Sequence, residues 1–186
     1  MMFTRKHEPN VLKGMAAGVV GGLVASWTMN QFQQAWSKVA EGVEKRQASS
    51  NGNGGGKSNG SGEQNQGEDP TVKTADKLAE TVLDRHLTEG EKDKAGPAVH
   101  YAFGAVMGGI YGMASEYAPT AAKGQGLPFG TALFLGADEV ALPALNLTKS
   151  PAKFPLSTHV YGLASHFVYG LTTEWVRRAV RSQLGR

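Results

Sequence analysis

The sequence predicts an all-α protein: a four-transmembrane-helix bundle with glycine-rich packing and a long polar loop after the first helix. Three observations predict it. Four apolar, glycine-rich stretches are each long enough to cross a hydrocarbon core of about 30 Å as a helix. In two of them a small residue recurs at every fourth position. The polar residues gather largely in one segment, 41–94, so the mean hydropathy of −0.30 averages unlike parts.

The chain has 186 residues, a formal net charge of +3 and no cysteine. One domain is the expectation at this length. Without cysteine there are no disulfides, thiolate metal sites or c-type haem attachments. Basic residues are not interleaved with aromatics, so no nucleic-acid partner is expected. A P-loop, a dinucleotide fingerprint and a G-x-S-x-G motif are all missing. The chain therefore reads as a non-enzyme with no catalytic residues, no cofactor and no metal site.

Residues 1–10 form a basic tail carrying Arg5 and Lys6. The first span, 11–38, contains an uncharged run from Gly14 to Ser37, along which Gly14, Gly18, Gly22, Ser26 and Asn30 form one stripe. A glycine in a water-exposed helix costs about 1 kcal/mol relative to alanine, whereas in lipid small residues let backbones approach closely. Trp36 and Lys38 suit the far interface. A cleavable signal peptide is the competing reading, but the run is long and no A-x-A site precedes Ser26.

The polar loop covers 39–96. Within it Gln47–Gly67 is a low-complexity linker, too polar to offset the entropy of ordering it. Over 69–87, Val72, Ala75, Leu78, Ala79, Val82 and Leu83 fall at helical spacing between charges, predicting an amphipathic helix. Thr88-Glu-Gly-Glu91 has the form of a capping box opening a turn toward Pro97.

The second span, 97–118, carries Gly104, Gly108 and Gly112, with His100 near one end and Glu116 near the other. The third, 126–147, is interrupted by Pro128 and Pro143. The fourth, 156–180, ends in Trp175 and arginines, and a basic tail follows at 181–186. His100–Tyr117 matches Thr158–Trp175 without a gap: Gly104 falls on Gly162, Tyr111-Gly112 on Tyr169-Gly170, and Glu116 on Glu174. Spans two and four are thus expected to be copies running in the same direction. The expected helix-packing residues are Gly14, Gly18, Gly22, Gly104, Gly108, Gly112, Gly162 and Gly170. Arg and Lys concentrate at the two termini and the Lys123 turn, which puts both termini in the cytoplasm.

The third span is the difficult one. Its Leu, Phe and Val residues favour insertion by a total of about 3–5 kcal/mol. Asp138 and Glu139 oppose insertion by about 2.5–3.5 kcal/mol each. The acids must therefore face partners, water or the bundle interior. Pro143 cannot donate to the Glu139 carbonyl, so a helix break is expected there, with both acids near the C-terminal end of a half-helix.

The run His100–Pro119, then GQGLPFG at 124–130, LNLTKSP at 145–151 and YGLASHFVYGLTTEWVRR at 161–178, resembles the YagU-like family of small bacterial inner-membrane proteins. The resemblance covers roughly 95–181. It implies a multi-pass protein of the bacterial inner (plasma) membrane, and it carries over no biochemical activity.

Three functions compete. The first is a structural or accessory membrane protein packing through its glycine faces, its partners being the lipid bilayer and a second copy or another membrane protein. The second is a proton- or cation-handling protein in which Asp138 and Glu139 bind and His159 and His166 relay, with His100 and Glu116 as further candidates. The plainer alternative for Glu116 and Glu174 is pairing with Lys or Arg. A haem or metal site would need ligands at matched depth on different helices, which only His100 and His159 approach. The third is a membrane-surface or lipid-sensing protein acting through 69–87.

Overall fold

The computed structural model describes residues 9–50 and 70–185, and all regular structure among them is helical. Most of the basic tail, Asp69 and the linker from Asn51 onward lie outside the described residues. Helix α1 spans Val11–Ser50. It runs past Lys38 and through Gln47–Ser50, the start of the expected linker. That stretch has no proline and is rich in helix-favouring Ala, Glu, Lys, Arg and Gln, which carries the helix on.

Helix α2, Pro70–Leu83, is shorter than expected, because Asp84 turns out of it at φ 52°. Helix α3, Glu89–Tyr117, begins well before Pro97. The Thr88–Glu91 capping box opens this helix itself, with the Thr88 N–H donating to Glu91 Oε2 at 2.9 Å. Pro97 is tolerated inside it because the carbonyl it orphans, that of Asp93, is on an exposed turn.

A 3-10 turn at Pro119–Ala122 and three residues of positive φ, Gly124, Gln125 and Gly126, lead into α4, Leu127–Leu133. The same helical path widens into a π-helical segment, Phe134–Ala141, and closes as α5, Leu142–Ala144. There is no break at Pro143. The wider π register accommodates its missing N–H, and the chain leaves the helix only beyond Ala144, with Asn146 at φ 57°. After a 3-10 turn at Pro151–Lys153, helix α6 runs Leu156–Leu184, so most of the expected C-terminal tail is helical.

Helix α1 lies between α3 and α6. Its Gly14, Gly18 and Gly22 meet Gly112, Gly108 and Gly104 of α3 backbone to backbone. A Cβ at Gly18 would overlap the Gly108 carbonyl oxygen, and one at Gly22 would overlap that of Gly104. On its other side Gly21 faces the Thr173 carbonyl of α6, and Thr28 Oγ1 donates to Thr172 Oγ1 at 3.1 Å. Helix α4 crosses α6 in the same manner, with Gly126 on Gly170 and Gly130 on the His166 carbonyl. Tyr169 ties α6 to α3 by donating to the Gly104 carbonyl at 2.6 Å. Helix α2 lies along α3 with Ala75 and Ala79 buried and Val72 over Gly96.

Several polar side chains lie inside, beside an apolar cluster of Ala25, Met29, Leu133 and Tyr169, and many large apolar ones face outward. Ser26, Ser165, Thr173, Glu174, Arg177 and Arg181 are buried, while Leu23, Trp27, Val106, Ile110, Val140 and Val160 are exposed. One described helix, over Val11–Val43, is long and apolar enough to cross a membrane. The other three expected spans do not reach that measure: buried polar residues and glycines dilute α3 and α6, and the third is divided into short segments.

Gly18→Ala should lower the thermal midpoint, at the cost of about 1–3 kcal/mol usual for overpacking. A Cβ at Gly42 meets nothing within 4 Å. Gly42→Ala should instead raise the midpoint, by up to about 1 kcal/mol of helix propensity. Melting the two variants beside the parent checks both signs.

Candidate functional site

Two polar centres sit at opposite ends of the bundle. The first joins the π-helical segment to the start of α6. In that segment the Leu142 N–H reaches back to the Ala137 carbonyl, one residue further than an α-helix would. Glu139 and Asp138 each meet one histidine. Glu139 Oε1 lies 2.7 Å from His159 Nδ1, and Asp138 Oδ2 lies 3.7 Å from His166 Nδ1. The four side chains form two separate pairs. Asp138, at 38 % side-chain exposure, is the most open of the four, and His166, at 10 %, the least.

Backbone carbonyls decide where the protons sit. A carbonyl can only accept, so a ring nitrogen bonded to one must carry hydrogen. His159 Nε2 faces the Pro151 carbonyl at 3.2 Å, and His166 Nδ1 faces the Gly162 carbonyl at 2.9 Å. With Nε2 of His159 committed, its Nδ1 can bond to Glu139 only through one more proton. That proton belongs either to an imidazolium or to a carboxylic acid, so the contact is a proton-sharing pair. Neither carbonyl was visible to sequence reasoning, since any residue supplies one. Elsewhere, His100 stands edge-on to Tyr101 at 5.8 Å between ring centroids. Among the described residues no three His, Asp or Glu side chains are grouped so as to hold a metal ion.

The second centre holds Glu116, placed apart from the two acid–histidine pairs. Arg181 grips it with Nε at 2.6 Å and Nη2 at 3.1 Å, and the Asn10 N–H donates to it at 2.9 Å. Gly14 makes room for it, because a Cβ there would overlap Glu116 Cγ. Its repeat partner Glu174 is fully buried between Arg177, at 2.7 and 2.9 Å, and Arg178. The Arg177 guanidinium also lies over the Tyr111 ring, 5.9 Å from its centroid. Arg181, expected in a solvated tail, is therefore an internal residue. A signal for it was present in the spacing: Arg177, Arg178 and Arg181 all follow Glu174 at helical intervals and share its face of α6.

A surface clasp joins α2 to α3 at the same end as His159. Asp76 receives the Leu87 N–H at 2.7 Å and His86 Nδ1 at 2.8 Å. The Leu87 N–H, then His86, hold the Asp76 carboxyl below its ordinary value, and Asp76 raises His86 in turn. Arg85, by a bidentate contact at 2.7 and 2.9 Å, and then Thr88 depress Glu91. From α2, Lys77 Nζ also donates to the Leu145 carbonyl beyond α5, at 2.8 Å.

A family model described as "Protein of unknown function (DUF1440)" matches residues 63–175, which include both acid–histidine pairs, Glu116 and Glu174. No curated protein and no solved structure matches the chain.

Arg181→Met should destabilise the fold by about 3–5 kcal/mol, because it strands a buried carboxylate. The double variant Glu116→Gln/Arg181→Met should regain most of that in the same unfolding measurement. The clasp should respond to pH from both sides. A depressed Asp76 contributes above its ordinary value of 3.8 and loses that contribution as pH falls through its lowered value. A raised His86 contributes below its ordinary value of 6.5 and loses that as pH rises through its raised value. The hydrogen-exchange protection factor of the Leu87 amide should peak between the two, and His86→Ala should flatten the alkaline side.

Proposed function

The chain belongs to the DUF1440 family of proteins of unknown function, and from that premise we propose a multi-pass bacterial inner-membrane protein that handles protons or cations on Asp138, Glu139, His159 and His166. Many exposed large apolar side chains, together with buried Glu174, Arg177 and Arg181, support the membrane part, because lipid and not water favours that distribution. The resemblance to YagU-like proteins agrees with it. Four crossings follow from the four apolar stretches, and cytoplasmic termini from the terminal arginines.

One observation carries the proton-handling part: the 2.7 Å contact of Glu139 with a histidine whose other nitrogen is already donating to a carbonyl. Ionisable groups at membrane depth are expensive and are kept where they act. The accessory-protein reading, whose glycine faces could pack within the chain or against copies, stays the alternative; here they pack within it, α1 against α3 and α4 against α6. A lipid-sensing α2 has less support, since Ala75 and Ala79 are buried.

Proton flux into liposomes holding the purified protein tests the proposal. Asp138→Asn and Glu139→Gln should each lower the flux about a hundredfold, the scale of a positioned acid–base group. Flux equal to the parent in both variants overturns it.

A further inference from the structure

The contacts of α1 with α3 repeat in those of α4 with α6. Gly14 meets Gly112 and the Glu116 side chain; Gly126 meets Gly170 and the Glu174 side chain. Gly18 meets Gly108, and Gly130 meets His166. Gly22 meets Gly104, and Phe134 meets Gly162. Ser115 and Thr173 each donate to the carbonyl of the tyrosine four residues back, at 2.8 Å in both cases. One constant offset relates α1 to α4 and another relates α3 to α6. The first helix pair thus serves as an internal reference for the second.

That reference shows where the second pair departs. Counting at the α1–α4 offset, Ser26 corresponds to Asp138, and at the α3–α6 offset Gly108 corresponds to His166. In the first pair these positions only pack: a Cβ on Gly104 would overlap Ser26 Oγ, and Gly108 touches Gly18 and Gly22. We infer that the second hairpin is a copy of the first in which two packing positions have become a proton-binding pair, the proton residing on His166 Nε2.

This deepens the proton-handling reading and rests on it. His166 Nδ1 keeps its hydrogen for the Gly162 carbonyl at 2.9 Å, so Nε2 carries the ring's lone pair. A hydrated proton transfers to the Nε2 lone pair, giving an imidazolium and leaving a neutral water. The Asp138 carboxylate stands on the Nδ1 side of the ring, its Oδ2 3.7 Å from Nδ1, and balances the charge spread over the imidazolium rather than bonding the added proton. Release returns the neutral ring and a hydrated proton. The groups facing His166 are Asp138 and, adjoining it, Glu139 with His159. Phe134 and the backbone at Gly130 supply the apolar and backbone walls. Helix α1 adds no ionisable side chain between Lys13 and Lys38.

The experiment uses the full chain in lipid nanodiscs with 15N-labelled histidine. NMR across pH should show His166 Nδ1 protonated throughout and Nε2 gaining a proton on acidification. The back-substituted D138S/H166G chain should fold with a thermal midpoint at or above that of the parent and take up at least one proton fewer per chain in acid titration. Titration at Nδ1, a ring neutral at every pH, or aggregation of D138S/H166G overturns the inference. Liposome flux is scored separately: its absence from the parent removes the transport reading while leaving the NMR result to judge the binding site.

Discussion

Direct contact between the backbones of α1 and α3 is the constraint from which the remaining structure follows. Where Gly18 and Gly108 touch, no side chain can stand between the two helices, and the buried large groups, Met29, Tyr111, Leu133 and Tyr169, pack beside that contact. Dispersion between closely apposed backbones then adds to a small apolar cluster of Ala25, Met29, Leu133 and Tyr169. Helix α1 can take two neighbours because Gly21 and the Gly18–Gly22 stripe face different ways. The buried carboxylate of Glu174 enters the interior between Arg177 and Arg178.

Charge burial and glycine packing are therefore one arrangement. Gly14 clears the space that Glu116 enters, and Arg181 then closes α6 over it. Glu116 and Glu174 occupy matched places in the repeat but recruit different arginines. The Glu174 set reaches α3 through Arg177 over the Tyr111 ring, and the Glu116 set ties three segments of the chain together, through Asn10, α3 and α6.

Much of this was legible from residue spacing. Glycines every fourth position announced the α1–α3 contact, and the ungapped match of 100–117 with 158–175 announced that α3 and α6 are alike. The histidines seven apart, with the two adjacent acids, marked the residues that meet. Their pairing was not legible, because it depends on a π register that no composition signal specifies. Pro143 pointed to a disturbance, and the disturbance took the form of a widened turn in place of a break. The length of α1 was hidden by a polar composition that suits both a solvated helix and a linker. The α4–α6 repeat of the first contact was obscured by Phe134 and His166, which stand where glycines would have advertised it.

The π-helical segment has a mechanical consequence. A π turn holds one residue more than an α turn, and tightening it would rotate everything on one side by about 100° relative to the other. Asp138 and Glu139 lie inside the segment that would tighten, and His159 and His166 lie outside it. Winding state and acid–base contact are thus geared together: a helix that slips by one residue must exchange its imidazole neighbours for others.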